Sequence, residues 1–182
     1  GIRNSSECAE MVRLSQGLPI LLVSMTIGGP EGGEAAASAG GSVLRSVPAG
    51  LRRVAVSGAF PRCLNRDVVS KALNYSTPDD AFDWLVGMPF VRPVSEGWKY
   101  HELIRHELLK LAHRESPKHW TDTHRELAEH YESAASEVDP DGRMAQVAFP
   151  LLREQIYHDV CTGSSSARKR ANRFCLKAWD TD

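Results

Sequence analysis

Between Phe90 and Tyr100 the hydrophobic period of the chain changes, and this limits the possible folds more than any other feature. Phe90-Val91-Arg92-Pro93-Val94 and Trp98-Lys99-Tyr100 are β-prone runs around Ser95-Glu96-Gly97, which reads as a hairpin. On either side the spacing is helical. After the hairpin, Ile104, Leu108, Leu111 and Ala112 stand at i, i+4, i+7 and i+8. Before it come three helical segments. Residues 43–60 carry a helix with Leu51, Val54, Ala55 and Phe60 inward. Asn65 is placed to cap a second, with Val68, Val69, Ala72 and Leu73. Thr77-Pro78-Asp79-Asp80 opens a third with a cap, a first-turn proline and acids on the positive helix end. Phe82, Leu85 and Val86 form its inner stripe, and Gly87 ends it. Three helices, a hairpin and a helix follow one another in a winged helix-turn-helix, so the expected class is mainly α with a small β-hairpin.

The flanks are helical too. Asn4-Ser5-Ser6-Glu7 opens a helix with Cys8, Met11 and Leu14 on one face, and Gly17 fits its left-handed cap. Pro19 begins a second helix that is apolar nearly all round, hence buried, and that stops at Gly28-Gly29-Pro30. Residues 30–42 carry no large apolar side chain, too little area to order themselves, and read as a flexible loop. Beyond Ser116-Pro117, Leu127, Ala128, Tyr131 and Ala135 form one stripe. Asp139-Pro140-Asp141-Gly142 is a turn. Pro150 fits the first turn of a further helix with Leu152, Ile156 and Val160. Residues 162–170 read as a loop before a last helix with Phe174, Leu176 and Trp179. Antiparallel helix pairs of this kind are what a helical-repeat array is built from, although no internal period occurs.

The 182 residues suit one sizeable domain or two small ones. Net charge is −1, which argues against a life on nucleic acid or an anionic membrane. The longest apolar run, Leu18 to Met25, is too short to cross a bilayer. The chain begins at Gly1 and is expected to be a fragment of a cytoplasmic protein. Cys8, Cys63, Cys161 and Cys175 stand far apart, without zinc spacing, and read as thiols of a reducing compartment.

Motifs of catalysis are missing. The sequence holds no Gly-x-x-x-x-Gly-Lys-[Ser/Thr], no Gly-x-Ser-x-Gly and no His-Glu-x-x-His. Six of the seven histidines fall between residues 101 and 130. His106 and His113 share a helix face, and His124 and His130 do so less well, so solvated or core histidines are a better reading than a metal site. DNA reading is the natural guess for a winged helix. Its third helix needs Arg, Lys, Asn or Gln toward the bases. Here residues 77–87 carry Asp79, Asp80 and Asp83 and no basic residue. Residues 42–131 hold 13 Lys and Arg against 11 Asp and Glu, a net +2 that is weak against phosphates. A DNA-binding transcriptional regulator stays as the alternative only through the wing, where Arg92, Lys99 and Arg62 are the candidate phosphate contacts. A plain helical scaffold is a third reading.

Residues 7–29, containing Gly17-Leu18-Pro19-Ile20, resemble the Gly-Leu-Pro-Leu segment in the helical lid of signalling STAND ATPases, the NB-ARC-like group. Residues 47–109 resemble the winged-helix domain of that family. Val47 to Pro61 matches its first helix, Ala81 to Val91 its helix and strand, and Tyr100-His101-Glu102-Leu103-Ile104-Arg105 its Met-His-Asp-type segment. The tail from His119 through Leu127-Ala128-Glu129-His130-Tyr131 is similar to the helices that start a repeat sensor. Tyr100 and Glu102 replace the commoner Met and Asp.

The resemblance implies four parts: a lid over residues 1–29, a flexible loop over 30–42, a winged helix over 43–118 and a helical-repeat-like segment over 119–182. It implies that Pro19 packs on the adenine of ADP or ATP and that His101 reaches the phosphates in the closed state. It also implies an upstream P-loop domain of the same chain as partner, holding the nucleotide with Mg. The parent is expected to be a homo-oligomer with a protein ligand on its sensor region. The isolated chain is expected to bind no cofactor and to have no enzymatic activity, with no membrane partner and nucleic acid disfavoured.

Overall fold

The computed structural model describes residues 47–74, 79–139, 145–165 and 167–172, with Ala9, Val43 and Leu44 besides. The readings of residues 1–29, of the 30–42 loop, of Thr77-Pro78, of the Pro140-Asp141-Gly142 turn and of the last helix lie outside them.

The fold is mainly helical with one antiparallel hairpin. A short 3-10 turn at Ala49–Leu51 leads into α1 (Arg52–Ser57). This helix is shorter than the 43–60 expected, because it gives way after Ser57 to a turn through Gly58. Phe60 is fully buried from beyond the helix rather than on it. α2 (Arg66–Leu73) starts where Asn65, extended, accepts from the Val68 N–H at 2.9 Å, satisfying one of the first turn's free amides. It ends at Asn74, left-handed at φ 58°. The Arg53 guanidinium donates to the Leu73 carbonyl there, at 3.1 Å. Val68, Val69, Ala72 and Leu73 are buried, as the spacing predicts. α3 (Asp79–Val86) buries Ala81, Phe82 and Leu85, while Val86 is half-buried.

β1 (Val91–Val94) and β2 (Gly97–Tyr100) pair with Val91 opposite Tyr100 and Val94 opposite Gly97, so Ser95-Glu96 is the turn. A third backbone segment joins them. Leu64 N–H donates to the Trp98 carbonyl at 2.7 Å and Trp98 N–H to the Leu64 carbonyl at 3.0 Å. β2 therefore lies between Leu64 and β1. Pro93, which has no N–H to give, is tolerated because β1 is the edge strand. Gly97 has φ +132°, and a Cβ there would lie 2.3 Å from the Leu64 carbonyl oxygen. This three-part wing following three helices is the winged helix-turn-helix order.

α4 (Glu102–Glu115) buries Ile104, Leu108, Leu109 and Ala112. Ser116 ends it and caps α5 (Pro117–Val138), accepting from the His119 N–H at 3.2 Å, with Pro117 in the first turn. α5 lies against α2 and α4 and along α6 (Ala145–Cys161). Residues 167–172 are helical. Tyr100, whose hydroxyl donates to the Ala55 carbonyl at 2.7 Å, ties the wing to α1; burial pushes its ionisation well up. One core runs from Val54 through Leu73, Leu85 and Leu108 to Leu127 and Tyr131.

α6 departs from expectation twice. Pro150 sits inside the helix rather than in its first turn. Leu152, Ile156 and Val160 are not its inner stripe: Val160 is 44 % exposed, the other two are half-buried, and Phe149 is 42 % exposed. The buried positions are Ala148, Gln155, His158 and Asp159. Polar side chains face inward because His124 and Arg170 meet His158 and Asp159 there.

Candidate functional site

His101 is the first residue after β2. Its N–H donates to the Phe90 carbonyl at 2.7 Å, and its carbonyl accepts from Arg105 at 3.0 Å, so the backbone is pinned between wing and helix. Its imidazole is exposed and makes no capping bond to α4. Pro19 lies outside the described residues.

The polar chemistry that the fold does bring together lies between the winged helix and the α5–α6 pair. Arg105, one turn into α4, donates to the Phe60 carbonyl at 2.8 Å, the Pro61 carbonyl at 3.2 Å and the Tyr157 hydroxyl at 2.7 Å. It thus satisfies two carbonyls of the turn after α1 and grips α6 with the same guanidinium. Arg62 forms a two-point pair with Glu154, at 2.9 and 2.7 Å, and lies over the Tyr157 ring. The Tyr157 hydroxyl is raised by burial and partly offset by the Arg105 cation. Trp120 of α5 donates its indole N–H to the Cys161 carbonyl at the end of α6, at 2.9 Å.

Behind these contacts lies a buried pair of imidazoles. His124 of α5 and His158 of α6 are 0 % exposed and face each other with Nδ1···Nδ1 2.8 Å. At that distance one Nδ1 carries the proton and the other accepts it. Phe60, Trp120 and Tyr157 pack on His124, and Tyr131 stacks on His158. Desolvation pulls His124 down to about 3, with the Arg105 charge acting in the same direction. It lowers His158 strongly as well, helped by His124, Arg105 and Arg62. Both rings are neutral at physiological pH.

The helix offered to DNA has a different environment. Arg66 of α2 donates to Asp79 at 2.6 Å and to Asp83 at 3.3 Å, and lies over the Phe82 ring. Asp79, Asp80 and Asp83 line the exposed side of α3. Arg62, expected among phosphate contacts of the wing, is instead engaged by Glu154 on α6. Arg92 is exposed and Lys99 half-buried on the hairpin. Among the described residues no three His, Cys, Asp or Glu converge as a metal site would, and no helix is long and apolar enough to cross a membrane.

Sequence reasoning singled out His101 and missed the His124–His158 and Arg62–Glu154 pairs. Their members are 34 and 92 residues apart, so no local spacing announces them. No known family, curated protein or solved structure matches the chain.

Proposed function

We propose that this chain is a regulatory segment of a nucleotide-switched signalling ATPase, in which a winged helix passes the state of a bound ADP or ATP to a helical sensor. The observation that carries the reading is the grip of Arg105. One side chain at the root of the wing holds both the turn after α1 and Tyr157 of α6. A displacement of the winged helix then moves the α5–α6 pair with it, as a coupling element requires. The exposed imidazole of His101 stands three residues after Trp98 and four before Arg105, at the end of that lever. An N–H there can donate to a phosphate oxygen and lose that partner when the body swings away. The nucleotide and its Mg belong, in this reading, to a P-loop domain preceding residue 1, against which Pro19 packs on the adenine. Homo-oligomerisation and the sensor's protein ligand are part of the same proposal, as is a cytoplasmic setting.

The test is His101→Leu in the full-length protein. The expected result is loss of co-purifying ADP together with output in the absence of stimulus. Unchanged ADP content and unchanged output overturn the reading. The DNA-binding alternative is checked on the same material: retention of a labelled duplex that weakens with salt would replace the switch by a wing-mediated regulator.

A further inference from the structure

We propose that the His124–His158 pair is a proton-sensitive clasp that holds α5 against α6 at neutral pH and lets the two helices part on acidification. Two neutral rings sharing one proton between their Nδ1 atoms leave one Nε2 as a bare acceptor and the other as an N–H donor. Both Nε2 atoms are buried and find no partner among the described residues. The pair is therefore bonded through a single hydrogen, and the one basic nitrogen left, the bare Nε2, is buried with no group to accept from it once protonated. A first added proton can sit only on the bare Nε2, where it keeps the 2.8 Å bond but makes a cation with no acceptor in an aromatic box; a second puts a donor on each Nδ1 and abolishes that bond.

The surrounding charges make this worse for the protonated form. Arg105 and His113 face the pair from α4, and Arg62 from the turn after α1. Glu154 of α6 is spent on Arg62. Asp159, about 100° further round α6, is held by Arg170 through two bonds of 2.8 and 2.7 Å. Tyr131 and Tyr157, both raised by burial, stay neutral. Among the described residues, Glu154 and Asp159 of α6 are thus both engaged elsewhere, and parting the helices is the route by which the rings reach water.

Because both rings titrate lower when packed than when released, the contribution to stability is whole above the ordinary histidine value of about 6.5 and is lost as pH falls below it. The readouts are urea unfolding by circular dichroism and the fluorescence of Trp120, whose ring lies 4.4 Å from that of His124. Two such groups raise the opening constant roughly 100-fold between pH 7.5 and 5.5. His130, also lowered by burial, adds to the slope of every variant equally and drops out of the comparison. The double variant H124L/H158L is expected to lose that roughly 100-fold share. An equal pH slope in wild type and variant overturns the clasp. Should the variant not fold, histidine NMR titration of the wild-type chain decides. Two rings that remain neutral at pH 5.5 in the packed fraction support the clasp. All rings becoming charged by pH 5.5 with the helices intact overturns it.

Discussion

Arg62 and Glu154 are 92 residues apart and meet in a two-point ion pair, Nε to Oε2 at 2.9 Å and Nη2 to Oε1 at 2.7 Å. Arg62 belongs to the turn that follows α1, and Glu154 is midway along α6. The pair thus fastens the winged helix to the last long helix at a point where neither neighbour in sequence can help. Its side chains are 35 % and 12 % exposed, so solvent screens it only in part.

A double-mutant cycle with Arg62→Met and Glu154→Gln should return a coupling energy of about 1 kcal/mol, above the usual surface pair and below a fully buried one. Urea unfolding of the four chains measures it. Additive single effects would mean the pair adds nothing to the docking of α6.

Arg105→Leu should cost more, about 2–3 kcal/mol. It strips the Phe60 and Pro61 carbonyls and the Tyr157 hydroxyl of one shared donor, and groups buried without partners carry a desolvation penalty. Arg105→Lys should recover only part of that, since an ammonium cannot reproduce the planar fork. Thermal unfolding of the two variants compares them directly.

Gly97→Ala should destabilise by about 3 kcal/mol or more, for two reasons that add. The backbone is at φ +132°, where L side chains are strained, and the new methyl would meet the Leu64 carbonyl at 2.3 Å. The Leu64–Trp98 bridge would open first. Hydrogen exchange of those two amides should quicken in the variant, while α2 amides keep their protection.

His101→Leu in the isolated chain should change stability by less than about 0.5 kcal/mol, because the imidazole is exposed and caps nothing. A large loss in urea unfolding would give His101 a structural role and remove it as a nucleotide contact.

The winged helix was legible because each of its elements carries a local signal. Asn65 precedes its helix with the right acceptor, and Val68, Val69, Ala72 and Leu73 repeat at the helical period. Ser95-Glu96-Gly97 marks a turn between two β-prone runs. Where signals are local, backbone geometry follows from a few neighbouring residues. α6 was misread for the opposite reason. Leu152, Ile156 and Val160 form a sound apolar stripe, yet the face turned inward is Ala148, Gln155, His158 and Asp159. Hydrophobicity alone predicts the reverse. The outcome depends on His124 and Arg170, which offer His158 and Asp159 hydrogen bonds from elsewhere in the chain.

The order of residues by itself determined the helices, the hairpin and their succession, since caps, periods and turn residues act within a few positions. Only the tertiary structure decided which polar side chains would be taken out of water. Burying an imidazole or a carboxylate is unfavourable until a partner meets it, and the partners here lie 34 and 11 residues away on other helices. The site between the winged helix and α6 is therefore a property of packing, which no window of sequence contains.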